Sequence, residues 1–211
     1  MSSICFDIGA NKGQYALANA DKYAKIVCFE ANPELIPTLQ SNLQHLSNVK
    51  VVHSMISKNP ATFYVCKTGH TLSTCDTEWI TNSRFVGERH QYVPVNNIPS
   101  LSLDDCIAQE GFPNHIKIDV EGYEFNVLTS LSTLVPSISF EWAEEKQVEL
   151  LKSLDYLANL GYTEFAIQYN DDYTYMPESF ISFSEIKEIC LALNPNRKSL
   201  WGMIWCRYKQ I

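Results

Sequence analysis

Short hydrophobic runs alternate with amphipathic stretches along the first part of the chain. The runs are SICFDI at 3–8, KIVCFE at 25–30 and NVKVVHSMI at 48–56. They have the length and the Val and Ile content of buried strands. The stretches between them, 13–24 and 32–46, carry apolar residues at helical spacing, and the second begins with Asn32 as a helix N-cap followed by a proline. This alternation predicts an α/β fold with a parallel sheet and right-handed crossovers.

The middle of the chain is less regular, and the alternation returns after it. The middle is predicted to hold a strand at 61–66, a polar loop region at 67–85, an extended segment at 90–98 and a capped helix at 102–111. Further strands are expected at 115–120, 136–142, 163–169 and 199–208, with helices at 123–131, 144–161 and 181–193. Because linkers and repeats are lacking, residues 1–211 are interpreted as a single domain whose last two strands pair antiparallel at one edge.

Composition narrows the possible functions. A net charge of −8 disfavours a nucleic-acid partner, because an acidic surface repels phosphate backbones. No apolar run reaches the roughly 18 residues of a membrane span, and no basic, leucine-rich signal segment opens the sequence. The seven cysteines contain no C-x-x-C pair, so we interpret them as buried, reduced thiols and expect a cytoplasmic location.

A glycine-containing turn follows the first predicted strand, in FDIGANKGQYA at 6–16. Its Gly9 and Gly13 differ from the dinucleotide fingerprint, because Asn11 stands where a second glycine would approach a pyrophosphate. Asp7 before the turn suits a cationic group, and Glu30 at the end of the second strand can accept hydrogen bonds from both hydroxyls of a ribose. A ribose joined to a cationic amino-acid part describes S-adenosylmethionine.

Three segments together resemble the FkbM family of S-adenosylmethionine-dependent methyltransferases: FDIGANKGQYA, FEANPELIPTLQSN, and SLSLDD with HIKIDVEGYEFNVLTSL. The resemblance covers about residues 4 to 142, and IKIDVEGYE is its most specific part. It implies a three-layer, Rossmann-like class I methyltransferase fold with a mostly parallel seven-stranded sheet and an antiparallel edge strand. It also implies O-methylation of a hydroxyl, with sugars, glycans or polyketides as substrates.

The resemblance assigns cofactor-binding positions to three places in this sequence. These positions are Asp7, Gly9, Ala10, Asn11 and Gly13 in the turn, Glu30, Ala31 and Asn32 after the second strand, and Ser54 and Met55 after the third. GHTLST at 69–74 resembles the small-residue and serine segment of the family. Many members carry residues before the first strand, whereas here that strand begins almost at Met1. The cover of the site is therefore expected from elsewhere, or the chain is a domain of a longer protein.

Acidic residues follow the later strands and are candidates for the chemistry. Methyl transfer to a hydroxyl needs a positioned nucleophile and removal of its proton. Asp119 and Glu141 stand at adjacent strand ends and could hold Mg²⁺ or Mn²⁺, an arrangement similar to the catechol O-methyltransferase type. Asp119, Glu121 and His70 are the candidate catalytic residues, His70 because it lies in a polar loop. Lys117 is interpreted as structural.

The sequence is consistent with three functional hypotheses. The first is an O-methyltransferase acting on a sugar hydroxyl of a glycan or glycoconjugate, for example a deoxyhexose such as rhamnose or fucose. The second is a catalytically silent methyltransferase-like module that binds a partner. The third is an O-methyltransferase for another small molecule or for a protein side chain. The oligomeric state is left open.

Overall fold

The computed structural model describes residues 3–87 and 89–208. The helices are α1 (Gln14–Asn19), α2 (Ile36–Leu43), α3 (Thr77–Asn82), α4 (Leu103–Glu110), α5 (Glu124–Leu128), α6 (Gln147–Leu160) and α7 (Phe183–Leu191). The strands are β1 (Ile4–Ile8), β2 (Lys25–Glu30), β3 (Val49–His53), β4 (Met55–Ile56), β5 (Phe63–Cys66), β6 (Tyr92–Val95), β7 (Ser100–Leu101), β8 (His115–Ile118), β9 (Ser137–Ala143), β10 (Glu164–Tyr169), β11 (Ile181–Ser182) and β12 (Trp201–Arg207).

Eight of these strands form the main sheet, in the order β11-β10-β12-β9-β8-β1-β2-β3. The pairs between β9 and β3 are all parallel, as the alternation predicts. The predicted antiparallel pairing of the last two long strands, β10 and β12, is also confirmed. Two details differ: β12 lies inside the sheet between β10 and β9, and the edge beyond β10 carries the two-residue strand β11 as an eighth member.

Successive side chains of a strand point to opposite faces of the sheet, and a hydrophobic core lies on each face. Phe6 and Ile8 of β1 pack in the larger core with residues of α4, α5, α6 and α7. Cys5 of the same strand points to the other face, where it packs with residues of α1 and α2. Farther along that second face, Tyr175 and Phe180 cover β10 and β12 in place of a helix. The result is a three-layer α/β architecture.

Two predicted boundaries are wrong in the first part of the chain. The segment 48–56 is interrupted at Ser54, whose N–H donates to Glu30 O (3.0 Å) and whose hydroxyl donates to Pro99 O (3.0 Å), so the chain leaves β3 and pairs with β7 instead. Asn32 does not cap a helix, because α2 begins only at Ile36. Its side chain accepts a hydrogen bond from Glu34 N (3.0 Å) and closes a turn before α2.

The irregular middle forms a small layer over the carboxyl ends of the main sheet. β5 and β6 pair antiparallel, and the predicted polar loop contains a 3-10 turn at His70–Leu72 together with α3. Two ion pairs attach this layer to the 3-10 turn Glu144–Lys146, which directly precedes α6. Arg84 makes a forked contact with Glu145, with Nη2 2.5 Å from Oε2, and Lys146 Nζ lies 2.7 Å from Asp76 Oδ2. The layer is therefore fixed over the sheet.

The burial of the cysteines and the character of the helices bear on two predictions made from composition. Six of the seven cysteine side chains are buried, and Cys75 is partly exposed. Within residues 3–87 and 89–208, no helix has the length and apolar character needed to cross a bilayer. The single-domain organisation, the cytoplasmic location and the absence of a nucleic-acid partner stay predictions.

Candidate functional site

A cleft opens at the carboxyl ends of β1, β2, β8 and β9, under the layer formed by the middle of the chain. The volume of the cleft is about 1070 Å³ when the solvent-open space at its mouth is counted. The lining unites ten of the residues proposed from sequence: Gly9, Asn11, Glu30, Ala31, Ser54, Met55, His70, Asp119, Glu121 and Glu141. Four others lie behind the lining: Asp7, Ala10, Gly13 and Asn32. The cleft occupies the position where open α/β sheets bind their ligands.

The two glycines of the turn have different tasks. Gly9 has φ +75°, and a Cβ there would lie 1.8 Å from the backbone oxygen of Asp119. A glycine is therefore required where the turn after β1 meets the end of β8. Gly13 has φ +86°, and a Cβ there would press on Leu39 and Leu43 of α2, at 2.9 to 3.0 Å. Gly13 therefore serves the packing of α1 against α2 and does not border the cleft.

Glu30 is the buried acid at the end of β2, and its carboxylate joins two loops. Oε2 accepts a hydrogen bond from Asn11 N and Oε1 accepts one from Asn32 N, each at 2.7 Å. Burial raises the pKa of Glu30, and these two N–H donors act in the opposite direction. The side chain of Asn32 donates to Ser73 Oγ (3.4 Å), so this corner also supports the 3-10 turn above it.

Asn11 lies in the left-handed region, with φ +51°, and borders the cleft. Its side-chain oxygen Oδ1 is buried and has no hydrogen-bond partner within residues 3–87 and 89–208. A buried acceptor without a partner is costly, and a ligand donor would relieve that cost. The residue that interrupts the dinucleotide fingerprint thus offers an acceptor where a glycine would offer none.

Lys117 forms the centre of a buried charge cluster below the cleft. Its Nζ lies 3.1 Å from Asp119 Oδ2, 3.3 Å from Asp7 Oδ1 and 3.4 Å from Gly9 O. Burial alone would lower the pKa of Lys117, but the carboxylates of Asp119 and Asp7 outweigh it and raise that pKa. Asp7 is fully buried, and burial raises its pKa while Lys117 opposes the rise. Asp7 therefore faces Lys117 and not the cleft.

Three carboxylates, which we call the acidic trio, converge on the floor of the cleft. They belong to Asp119, Glu121 and Glu141, and one oxygen of each lies within 4.8 Å of the others. Burial, together with the charge of Asp119, raises the pKa values of Glu121 and Glu141 well above their ordinary range. Three oxygen donors at this spacing suit a hard divalent cation, whose charge would favour the deprotonated forms of Glu121 and Glu141. The trio contains both residues proposed as metal ligands and adds Glu121.

The turn that carries Glu121 is strained and strongly held. Glu121 has φ +55°, which is uncommon for a residue with a side chain. Its carbonyl accepts a hydrogen bond from Thr74 Oγ1 (2.7 Å). Glu124 Oε1 accepts from Val120 N (3.0 Å) and Gly122 N (3.2 Å), and burial raises the pKa of Glu124 to about 7. Glu124 therefore fixes the turn from the start of α5, as expected of a helix-start acid.

His70 borders the cleft at a different side from the acidic trio. Its Nδ1 lies 3.9 Å from Glu34 Oε2, and its carbonyl accepts a hydrogen bond from Ser73 Oγ (2.9 Å). Ser73 in turn contacts Asn32 after β2, whereas the trio follows β8 or lies on β9. His70 thus lies beside the predicted nucleoside corner, and its catalytic role stays a prediction.

Sequence patterns did not single out several residues of this region. The lining also contains Tyr123, Asp171 and Trp201, and Lys117, interpreted from sequence as structural, lies directly beneath it. Asp171 comes from the segment after β10, about 160 residues from the glycine turn, so local spacing could not reveal it. The K-x-D spacing of Lys117 and Asp119 could have predicted that the lysine lies beside the acid, since residues two apart on a strand share a face. The sequence also offers four aromatic residues as a stacking wall for a sugar ring, Tyr169, Tyr173, Tyr175 and Trp79. Of these, Tyr173 borders the cleft and the other three do not.

The sheet order, the helices on both faces and the cleft at the carboxyl ends define a class I methyltransferase fold. The crystal structure of precorrin-6y C5,15-methyltransferase from Geobacter metallireducens GS-15 is similar to this chain with a TM-score of 0.51. The alignment covers 99% of this chain and 81% of that chain at 12% identity, which supports the fold alone.

Residues 7–164 match the family described as Methyltransferase FkbM domain, and the chain belongs to this family of methyltransferases. The resemblance inferred from sequence is thereby confirmed. The chain is also 24% identical over 141 residues to the hexuronic acid methyltransferase AglP of Haloferax volcanii. That match covers 65% of this chain and 53% of AglP, so the chain spans about half the length of this curated relative.

Proposed function

We propose that the protein is an S-adenosylmethionine-dependent O-methyltransferase that acts on a sugar hydroxyl of a glycan or glycoconjugate. The observation that carries this proposal is one cleft that contains the glycine turn, the buried Glu30 and the acidic trio. The first two suit a nucleoside donor, and the trio suits activation of a hydroxyl. Family membership supports methyl transfer as the reaction class.

Glu30 is proposed to bind the ribose of the donor. Each of its oxygens accepts one backbone N–H and retains capacity for a second hydrogen bond. Two ribose hydroxyls can therefore donate to it without displacing either loop. Ser54 and Met55 border the next part of the cleft and are proposed to contact the adenine. Ala10, Gly13 and Asn32 are proposed to act indirectly, by shaping the loops that the donor meets.

The charge of the cleft favours a cationic donor. Five carboxylates border it, those of Glu30, Asp119, Glu121, Glu141 and Asp171, and no Lys or Arg of the described residues does so. A cavity lined by charge of one sign attracts ligands of the opposite sign. A sulfonium with an attached ammonium group fits this field better than the pyrophosphate of a dinucleotide.

Glu121 is the residue that we propose to take the proton of the acceptor hydroxyl. Its raised pKa makes it a stronger base than an ordinary carboxylate, which is the direction that general-base catalysis requires. Asp119 is proposed to position the hydroxyl, while Lys117 holds the Asp119 carboxylate in place at 3.1 Å. His70 is the weaker candidate for the base because its contacts lie at the Glu34 corner.

The acidic trio also fits a divalent metal ion. Its ligand atoms are carboxylate oxygens within 4.8 Å of one another, the donor type that Mg²⁺ and Mn²⁺ prefer. We propose Asp119 and Glu141 as the ligands, with Glu121 beside them. A bound ion would lower the pKa of the sugar hydroxyl. Metal dependence is part of the proposal, and the comparison of activity with Mg²⁺ and with EDTA tests it.

A neutral sugar fits the cleft better than an anionic one. AglP is named for hexuronic acid, and the similarity to it supports a sugar acceptor here. The described lining of this cleft offers a uronate no lysine or arginine to pair with, whereas a deoxyhexose such as rhamnose or fucose carries no charge and needs none. The rings of Tyr173 and Trp201 border the cleft and can pack against the apolar face of a sugar.

Release of S-adenosylhomocysteine tests the function. The protein is incubated with S-adenosylmethionine and a panel of free and glycan-linked deoxyhexoses, hexoses and uronic acids, with Mg²⁺ and separately with EDTA. We expect release with a neutral sugar, faster with Mg²⁺. Release with non-sugar hydroxyl compounds alone would replace the sugar proposal. Calorimetric titration that detects no binding of S-adenosylmethionine at millimolar concentration would instead favour a silent binding module.

A further inference from the structure

We propose that Asp171 binds the ammonium group of the donor's amino-acid part, a task that the sequence pattern assigns to Asp7. This inference rests on the proposed donor and names the residue that recognises its charged end. Asp171 follows β10, far along the chain from the glycine turn, and borders the same cleft as Gly9 and Asn11.

The charge of Asp7 is already balanced. Asp7 is fully buried, lies behind the lining, and its Oδ1 is 3.3 Å from Lys117 Nζ. A ligand ammonium at Asp7 would bring a second cation next to Lys117, whose Nζ also contacts Asp119 and Gly9 O. Two like charges in a buried space repel each other strongly. Asp7 and Lys117 therefore form an internal pair, and the ammonium needs another carboxylate.

Asp171 is placed where that carboxylate is needed. Asn19 of α1 donates from Nδ2 to Tyr173 O (2.9 Å), so the segment after β10 crosses the sheet and lies against the helix that follows the glycine turn. Tyr173 packs there in the core that contains Ala10 and Tyr15. Asp171 is partly enclosed by the cleft: partial burial raises the pKa of Asp171, and the nearby charge of Asp119 adds to the rise. The charge of Asp171 in turn contributes to the raised pKa of Asp7. Asp171 therefore borders the β1 and β8 side of the cleft.

The direction of the donor in the cleft follows from the sheet order. β2 and β3 lie on one side of β1, with Glu30 and Ser54 at their ends, and β8 lies on the other side. A donor with its ribose at Glu30 extends its amino-acid part across Gly9 toward β8, where Asp171 borders the cleft. The unpartnered Oδ1 of Asn11 provides a second acceptor, and an ammonium group has three donors to share.

Asp171 differs from Asp7 in accessibility as well. Its side chain is exposed within the cleft opening, whereas Asp7 has no exposed surface. Among the described residues, Asp171 forms no ion pair with a lysine or arginine, whereas Asp7 and Asp119 both pair with Lys117. Asp171 can therefore bind a ligand cation without breaking an existing ion pair. Tyr173, two residues further on, borders the same cleft.

The test compares two ligands that differ in the amino-acid part. S-Adenosylhomocysteine carries the ammonium group, and 5′-methylthioadenosine is the same nucleoside without it. Calorimetric titration of each is made with the wild-type protein, Asp171→Asn, Asp171→Glu, and Glu178→Gln as the matched control. Glu178 is an exposed acid in the same segment and does not border the cleft.

We expect Asp171→Asn to weaken S-adenosylhomocysteine binding about tenfold or more, as expected for loss of a charged hydrogen bond, and to leave methylthioadenosine binding within about twofold. Asp171→Glu should retain part of the affinity, and Glu178→Gln should change neither ligand. Unchanged S-adenosylhomocysteine affinity in Asp171→Asn, or equal weakening of both ligands, overturns the inference while leaving the proposed function. If the wild-type protein binds neither ligand, both proposals fall.

Discussion

The Nζ of Lys117 lies 3.1 Å from Oδ2 of Asp119, at the point where β8 ends under the cleft. Residues two apart on a strand point to the same face, so the strand itself brings this cation beside the acid. The neighbouring strand adds Asp7 from the other side, 3.3 Å away. One buried lysine thus connects the turn after β1 with the acidic trio, and its loss should affect both stability and activity.

Replacing Lys117 by methionine should destabilise the fold by about 3 to 5 kcal/mol, because it leaves Asp7 buried without a cationic partner. Equilibrium unfolding in urea measures this change. The double variant Asp7→Asn with Lys117→Met removes both charges and should recover part of the loss. Lys50→Met is the control: it removes an exposed lysine from Glu110, which keeps its ion pair with Lys25, and should cost about 1 kcal/mol or less. A Lys117 variant as stable as the control would contradict the paired-charge account.

Replacing Glu30 by glutamine should weaken both the fold and donor binding. The amide NH₂ cannot accept a hydrogen bond, so either Asn11 N or Asn32 N loses its partner, at a cost of about 1 to 3 kcal/mol. S-Adenosylhomocysteine affinity should fall about tenfold or more, measured by calorimetry. Glu34→Gln nearby, where the acid is exposed and paired with Lys67, should retain the affinity. Equal affinities in the two variants would remove Glu30 from the donor site.

Glu121, Glu141 and Glu124 should make the protein less stable as pH rises above 4.5. The pKa values of Glu121 and Glu141 are raised in the folded state from an ordinary value of 4.5, and that of Glu124 is raised to about 7. Between 4.5 and these raised values the folded protein holds protons that the unfolded chain has lost, so stability decreases with increasing pH in that window. Thermal unfolding in EDTA at a series of pH values measures the decrease.

Mg²⁺ should oppose this decrease, and more strongly at high pH, because the ion binds the deprotonated carboxylates. The unfolding temperature should rise with Mg²⁺ near pH 8 and change little near pH 5. Glu141→Gln should flatten the pH dependence and reduce the effect of Mg²⁺, while Glu188→Gln on the exposed face of α7 should change neither. An equal Mg²⁺ effect in both variants would count against metal binding at the trio.

Replacing Gly9 by alanine should destabilise the fold by about 3 kcal/mol or more, since the new Cβ would lie 1.8 Å from Asp119 O and φ is +75°. Urea unfolding gives the value. Gly69→Ala is the matched control, because its nearest neighbour would be a Leu72 methyl at 3.5 Å and no positive φ is required. The control should change stability by about 0.5 kcal/mol or less. Similar values for both glycines would mean that β1 and β8 can separate freely at this turn.

Sequence patterns predicted most strands of the sheet and the segments that form the cleft. They were less accurate where side chains satisfy backbone groups at a distance, as at Ser54, whose bonds to the end of β2 and to Pro99 divert the chain into a second small sheet. The prediction that Asn32 caps a helix failed for the same reason, because its hydrogen bonds close a turn before α2 instead.

The sequence by itself determined the alternation of strands and helices, the family, and the acids that end the central strands, because these depend on local spacing and on short motifs. The tertiary structure decided which of these acids face the cleft. Lys117 neutralises Asp7 from an adjacent strand, while Asp171 reaches the cleft from a segment that crosses the sheet. Electrostatic interaction depends on distance in space, and the distance between residues on different strands is set by how the sheet is ordered and packed.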